Sequence, residues 1–165
     1  MPLNIVLVEP EIHTNTGNIG RLSLASGSNL HLIKPFGFEL SDARLKRAGL
    51  DYWKHISLFI YDDFNDFLNK NQHAEMVFLS SHGKKLYWDI NYTENMFLIF
   101  GKESKGLSPD IIKNNLDHTY KIPLQSDKVR SINLANAVSI VVYEGLRTIL
   151  SVSYTHLTLP TNREV

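Results

Sequence analysis

The chain of 165 residues contains no cysteine. Disulfide frameworks, thiolate nucleophiles and thiolate metal sites are therefore excluded together. Charge of either sign is not in excess: 17 basic side chains balance 17 acidic ones, for a formal net charge of zero. Wholesale coating of polyanions is not expected, although a local basic patch stays open. No apolar run approaches a membrane span, and Met1-Pro2-Leu3 begins no signal peptide. The patterns G-x-x-x-x-G-K-[ST], G-x-G-x-x-G and G-x-S-x-G are all missing. A P-loop, an ordinary dinucleotide fold and a serine-hydrolase elbow thus lack support. The seven histidines, at 13, 31, 55, 73, 82, 118 and 156, include no metal-type pair at helical spacing, and no metal is expected. What remains is one soluble, cytoplasmic domain, since this length suits a single core and is short for two.

What is present is an alternation of short apolar runs with amphipathic ones. Asn4–Val8, Leu30–Lys34, Ser57–Tyr61, Glu75–Ser80, Met96–Phe100 and Thr119–Ile122 read as buried strands. Helices are expected over Thr14–Gly27, within Leu40–Gly49, over Asp62–Asn71, near Pro109–Leu116 and over Asn133–Leu150. The last of these contains SIVVY, which has strand propensity. Its apolar residues, however, recur at steps of three and four from Leu134 to Ile149, and the run is long for a strand. The fold class expected is α/β, with a mostly parallel sheet and helices on both faces.

Four polar clusters stand out, because ligands of open α/β sheets lie beyond the carboxyl ends of strands. EPEIHTNTGNIGR (9–21) follows the first strand; Asn15 and Thr16 are expected to cap a helix and Gly17 to allow a tight turn. Arg21 reads either as a solvated arginine or as a phosphate or ribose contact, because its planar fork matches phosphate. FLSSHG (78–83) is either a plain turn or a loop offering backbone groups. FGKESKGL (100–107) packs two glycines, two lysines and Glu103 into eight residues after an apolar strand. IPLQSDKVRSINLAN (122–136) is an irregular loop feeding the last helix, where Ser131 or Asn133 caps the helix or meets a ligand.

In order, these clusters resemble the three motifs of the SPOUT class of RNA methyltransferases: PEI-x-x-NTGNI-x-R at 10–21, FG-x-E-x-x-GL at 100–107 and IP…RS-x-NL-x-NAV at 122–138. With PFGF at 35–38 and RAGLDY at 47–52, the chain is most similar to TrmL-like enzymes, which methylate the wobble ribose of tRNA at cytidine or uridine. The resemblance covers residues 1 to about 150. It implies S-adenosyl-L-methionine as cofactor, a deep trefoil knot in the carboxyl-terminal third, and a homodimer through the first and last helices. It places cofactor contacts on Leu79, Gly101, Ile122 and Ser131 and the catalytic role on Arg21. Asn15, Glu103, Lys105, Asn133 and Tyr143 become weaker substrate-binding or orienting candidates. Arg44, Lys46, Arg47, Lys54 and Lys105 are candidates for a basic rim toward the tRNA anticodon stem-loop, as is a purely solvated charged face.

The implied reaction is in-line transfer of a sulfonium methyl to a ribose 2′-oxygen, in which the protein chiefly positions the reactants and assists proton loss. A guanidinium keeps its proton in proteins, so Arg21 is expected to stabilise the developing alkoxide rather than act as a literal base. A methyltransferase for another tRNA or rRNA position, and a non-catalytic RNA-binding dimer, remain alternatives at this point. Against the family pattern, His13 replaces a proline, Gly20 a larger apolar residue and Lys105 an arginine, and the SDKVRS loop is one residue longer. The terminal string VSYTHLTLPTNREV is similar to an in-frame translation of a sequencing-library adaptor. Residues 1–151 are therefore expected to form the domain and 152–165 a non-native tail.

Overall fold

A computed structural model describes residues 2–41 and 52–157. The short helix expected within Leu40–Gly49, and the rim candidates Arg44, Lys46 and Arg47, lie outside the described residues.

Seven parallel strands make the sheet: β1 (Asn4–Val8), β2 (Asn29–Ile33), β3 (Leu58–Tyr61), β4 (Met76–Leu79), β5 (Lys85–Leu86), β6 (Phe97–Phe100) and β7 (Thr119–Lys121). Their order across the sheet is β3-β2-β1-β6-β4-β7-β5. Among the described residues four helices cover it: α1 (His13–Ser26), α2 (Phe64–Lys70), α3 (Pro109–Asn114) and α4 (Leu134–Leu157). A parallel strand buried on both faces needs apolar side chains at every position, and β1 meets that demand with Ile5, Val6, Leu7 and Val8 all buried. Ile5, Leu7, Leu30, Leu32 and Leu98 point to one side, where Ile19 of α1 and Val138, Val141 and Val142 of α4 pack on them. Val6, Ile33, Phe78 and Ile99 point to the other, toward Phe67 of α2 and Leu107. Fully burying one such aliphatic or aromatic side chain contributes about 1.5–3 kcal/mol.

Six expected strands are present with ends shifted by no more than a residue or so. The exception in kind is β5, two residues long, which carries no periodic signal. The last helix was expected to end near Leu150 but continues to Leu157. Nothing in that stretch breaks a helix before Pro160, and Ser153 Oγ donates back to the Ile149 carbonyl.

Two expectations for α1 are corrected. Asn15 and Thr16 do not cap it, because the N-cap is Ile12, which supplies no side-chain hydrogen bond; both lie buried inside the helix with Gly17. Thr16 Oγ1 has no partner among the described residues. Gly20, which ought to weaken a helix, is needed here. A Cβ at that position would stand 2.6 Å from the Trp53 ring and 2.8 Å from Ile56 Cδ1, so the missing side chain lets the Trp53–His55 turn close on α1. Gly27 ends α1 in the left-handed conformation, at φ 66°.

Candidate functional site

At the carboxyl ends of β4, β6 and β7 the chain leaves the sheet through three loops, and these enclose a cleft of about 710 Å³. Its wall is built from the ends of the strands, with Leu79 closing β4, Gly101 following β6 and Ile122 following β7, and from Ser131 and Asn133 ahead of α4. Four positions far apart in sequence (79, 101, 122 and 131) thus line one cavity, together with Asn15, Glu103 and Lys105. Sequence reading passed over other lining residues. Among them are His82, Leu124 and Arg130, which belong to two clusters noticed for their polarity but not resolved residue by residue.

Hydrogen bonds tie the three motifs together. The Glu103 carboxylate accepts from the backbone N–H groups of Glu11 at 2.7 Å and Ile12 at 3.0 Å, and from Asn15 Nδ2 at 3.4 Å. A helix start leaves orphan N–H donors and carries partial positive charge. Here a carboxylate from the loop after β6 satisfies donors at the start of α1. The clamp is reciprocal: Glu11 accepts from Ser104 N–H at 2.9 Å and from Ser104 Oγ at 2.8 Å. Those two donors hold the Glu11 carboxyl below its usual pKa, with Lys102 and Lys105 adding to the effect. Asn133 closes the circuit, with Nδ2 donating to Asn15 Oδ1 at 3.1 Å. Its own Oδ1 accepts from Ala135 and Asn136 N–H, which caps α4. Of the two cap candidates, Asn133 takes the role.

The middle loop tolerates no side chain at Gly101: a Cβ there would meet the backbone of Gly106 and Leu107 at 2.1 Å. Gly106 sits at φ 67° and donates its N–H to the Lys102 carbonyl at 2.8 Å, folding the loop back on itself. Gly83 is equally constrained, with a Cβ falling 2.6 Å from the Tyr120 backbone, so the loop after β4 lies flush against β7.

Three candidates among the described residues are absent from the cleft lining. Arg21 is exposed on α1, its guanidinium carbon 5.9 Å from the centroid of the Tyr52 ring. Burial raises the Tyr52 phenol above its ordinary pKa, and Arg21 opposes that rise. Tyr143 is 49 % exposed on α4, and Lys54 is exposed in the turn beside α1. α1 and α4 pack against each other, yet Leu24 and Tyr143 on these helices stay open to solvent, as do Leu150 and Val152.

Chemically, the cleft joins apolar side chains, exposed loop backbone and few charges that are free to react. Glu103 is engaged by three donors, which suits holding loops better than moving protons. The size and mixed lining fit a small organic ligand with a flat ring and several polar edges.

The model described as the SpoU rRNA Methylase family matches residues 2–143. A Yersinia pestis protein named tRNA (cytidine(34)-2'-O)-methyltransferase is 46% identical over 152 residues, covering 88% of this chain and 93% of that protein. A solved structure described as giving structural insights into the 2-OH methylation of C/U34 on tRNA superposes with a TM-score of 0.85 at 41% identity, covering 90% of this chain and 97% of that one. The fold extends to AviRb, a SpoU methyltransferase of Streptomyces viridochromogenes solved in complex with AdoMet, with a TM-score of 0.77 at 22% identity over 88% of this chain and 57% of that one.

Proposed function

The chain belongs to the SpoU rRNA Methylase family, and from that premise we propose that it is an S-adenosyl-L-methionine-dependent tRNA (cytidine(34)-2′-O)-methyltransferase acting on the wobble ribose in the anticodon stem-loop. The convergence of Leu79, Gly101, Ile122 and Ser131 on one cleft carries this reading. The volume of that cleft falls in the range of small-molecule sites. Its apolar side chains and loop backbone suit an adenosine body, so the residues present fit the cofactor. When bound, S-adenosyl-L-methionine supplies a methyl carbon that already carries a good leaving group, open to in-line displacement by a ribose 2′-oxygen.

The protein's own residues then have three tasks. Gly101 and Gly106 keep the middle loop thin enough for backbone groups to face the ligand. Glu103 and Asn133 hold the loops in register and do not react. Arg21 stabilises the alkoxide that develops as the hydroxyl loses its proton, and grips the adjacent phosphate. Because Arg21 lies clear of its own cleft, this assignment requires it to serve the cleft of a second protomer. A homodimer through α1 and α4 provides for that, and the apolar side chains exposed on both helices support it. The same proposal includes a trefoil knot in the carboxyl-terminal third, supported by β4 lying between β6 and β7 while the 122–133 loop lines the cleft with the loop after β6. It takes residues 1–151 as the catalytic domain, with 152–165 a non-native tail that re-sequencing across Ser151 would test, and it places the enzyme in the cytoplasm. Among the described residues no helix is long and apolar enough to cross a membrane.

The test is methyl transfer from labelled S-adenosyl-L-methionine to tRNA, with the modified position mapped. Methylation confined to the nucleotide-34 ribose is the expected result, and cofactor binding without any transfer to tRNA would refute it. Arg21→Lys keeps charge but loses the fork, so turnover should fall by about a hundredfold or more while calorimetric cofactor affinity holds. Wild-type turnover in that variant would remove Arg21 from the chemistry.

A further inference from the structure

A second cleft, of about 950 Å³, opens next to the first at the carboxyl ends of β1, β2 and β3. The two share a seam, since His82, Lys102, Lys105 and Gly106 line both. The floor of the second cleft is apolar: Val8, Ile33 and Leu107 are buried beneath it, with Phe64 of α2 and Ile112 of α3 on its walls.

Charge is distributed unevenly around this floor. Of the three carboxylates present, Glu9 faces Lys102 at 3.8 Å and Asp62 faces Lys34 at 3.4 Å. The third, Asp63, is engaged as the N-cap of α2, accepting from Asp66 N–H at 2.7 Å. Among the described residues Lys105 and Lys113 have no ion pair. These two cations stand at different edges, Lys105 on the seam, where the Glu11 carboxylate feels its charge without forming an ion pair, and Lys113 on α3. In a chain of zero net charge such a placement is informative. A cation at each edge of an apolar floor with an aromatic side chain on its wall complements a segment of single-stranded nucleic acid, whose phosphates alternate with flat bases. Glu9 adds a local sign of function. It follows β1 directly at φ 52°, a left-handed backbone that disfavours a side chain and costs roughly 1–3 kcal/mol. That turn sets its carboxylate beside Lys102 on the seam.

We propose that this second cleft is a nucleotide subsite for the RNA substrate. It seats a base neighbouring the methylated nucleotide against Phe64 and Ile112, and the flanking phosphates lie on Lys105 and Lys113. The inference rests on the reading of the chain as an RNA methyltransferase and extends it to how the strand is held.

The test uses the full chain, a fluorescent anticodon stem-loop RNA and S-adenosyl-L-methionine. Lys113→Glu changes an exposed residue remote from the cofactor cleft, and Phe64→Ala removes the stacking surface. Each should weaken RNA binding about tenfold. For Lys113→Glu the slope of log affinity against log salt should also fall, by about 0.7 for a lost single-strand phosphate contact. For Lys113→Glu, an exposed position, cofactor affinity by calorimetry and kcat at saturating RNA should stay within about twofold of wild type, on the size expected for a surface change. Phe64→Ala also loses packing on Phe67 and is measured at a temperature where the variant is folded. Unchanged RNA affinity and salt slope in Lys113→Glu, whose fold is not at risk, would overturn the subsite. A wild-type chain that binds the stem-loop with this dependence on Lys113 yet transfers no methyl would refute the enzymatic reading and leave the subsite standing.

Discussion

Two polar networks run through this molecule, and they do opposite work. One is interior: His31 on β2 meets Tyr61 Oη at 2.8 Å through Nδ1 and Asn4 Oδ1 at 3.0 Å through Nε2, while Asn29 Nδ2 donates to the same Asn4 oxygen at 2.9 Å. It joins β1, β2 and β3 side by side, and His31 stacks on Phe59 with ring centroids 4.7 Å apart. The other network is at the motif loops, where Glu11, Asn15, Glu103, Ser104 and Asn133 join segments separated by about ninety residues or more. The interior network is centred on a buried imidazole that burial holds far below its usual pKa, at about 4. The loop network is charged and only partly buried. Buried polar groups must be satisfied or they cost heavily, so the interior network specifies strand register and is paid for in stability. The loop network fixes loops that the sheet alone leaves undetermined, so its loss should be felt in activity.

That contrast can be broken in graded steps. Glu103→Ala removes the acceptor of three donors at the start of α1. The expected loss is about a hundredfold in kcat/KM, set by a few hydrogen bonds to a charged group, with partial recovery in Glu103→Gln. Activity close to wild type in the alanine variant would show that the loops hold without the clamp. His31→Ala leaves a cavity and strips partners from Asn4 and Tyr61. A stability loss of about 2–4 kcal/mol in denaturant titration is expected, with kcat unchanged at a temperature where the variant is folded.

Acid separates the two networks further. Between about pH 6.5 and 4 the unfolded chain takes up a proton at His31 that the folded chain refuses, so stability falls as pH drops through that window. The slope attributable to this group is at most about 1.4 kcal/mol per pH unit, and it should vanish in His31→Ala. Glu11 behaves differently. Its depressed carboxyl contributes above the ordinary carboxylate range and loses that contribution only as pH falls through the lowered value. The smallest effect is expected for Asn133→Ala, which removes the cap of α4. Thermal melting should report a loss of about 0.5–2 kcal/mol, with a modest rise in cofactor Kd.

The difference between the networks also marks how far the sequence could be read. The strands were legible because burial on both faces writes unbroken apolar runs, as in NIVLV and FLIF. The positions that line the first cleft came from motif order, which locates residues without saying what holds them. The capping of α1 was read wrongly for a definite reason. Local rules search within three residues of a helix start, whereas the acceptor lies 91 positions away from Ile12. Gly20 read as a defect because its neighbour, Trp53, comes from another turn of chain. The second cleft was not legible as a site, since it borrows Glu9, His82, Lys102, Lys105, Gly106 and Leu107 from three polar clusters and completes its wall with residues of the 33–35, 62–65 and 108–116 stretches outside them.

One consequence follows from the carboxylate that seats the first turn of α1. A helix tethered at its start by the loop after β6 cannot pivot independently of that loop. A ligand that stiffened residues 101–107 would thereby stiffen the start of the helix that carries Arg21 two turns further along.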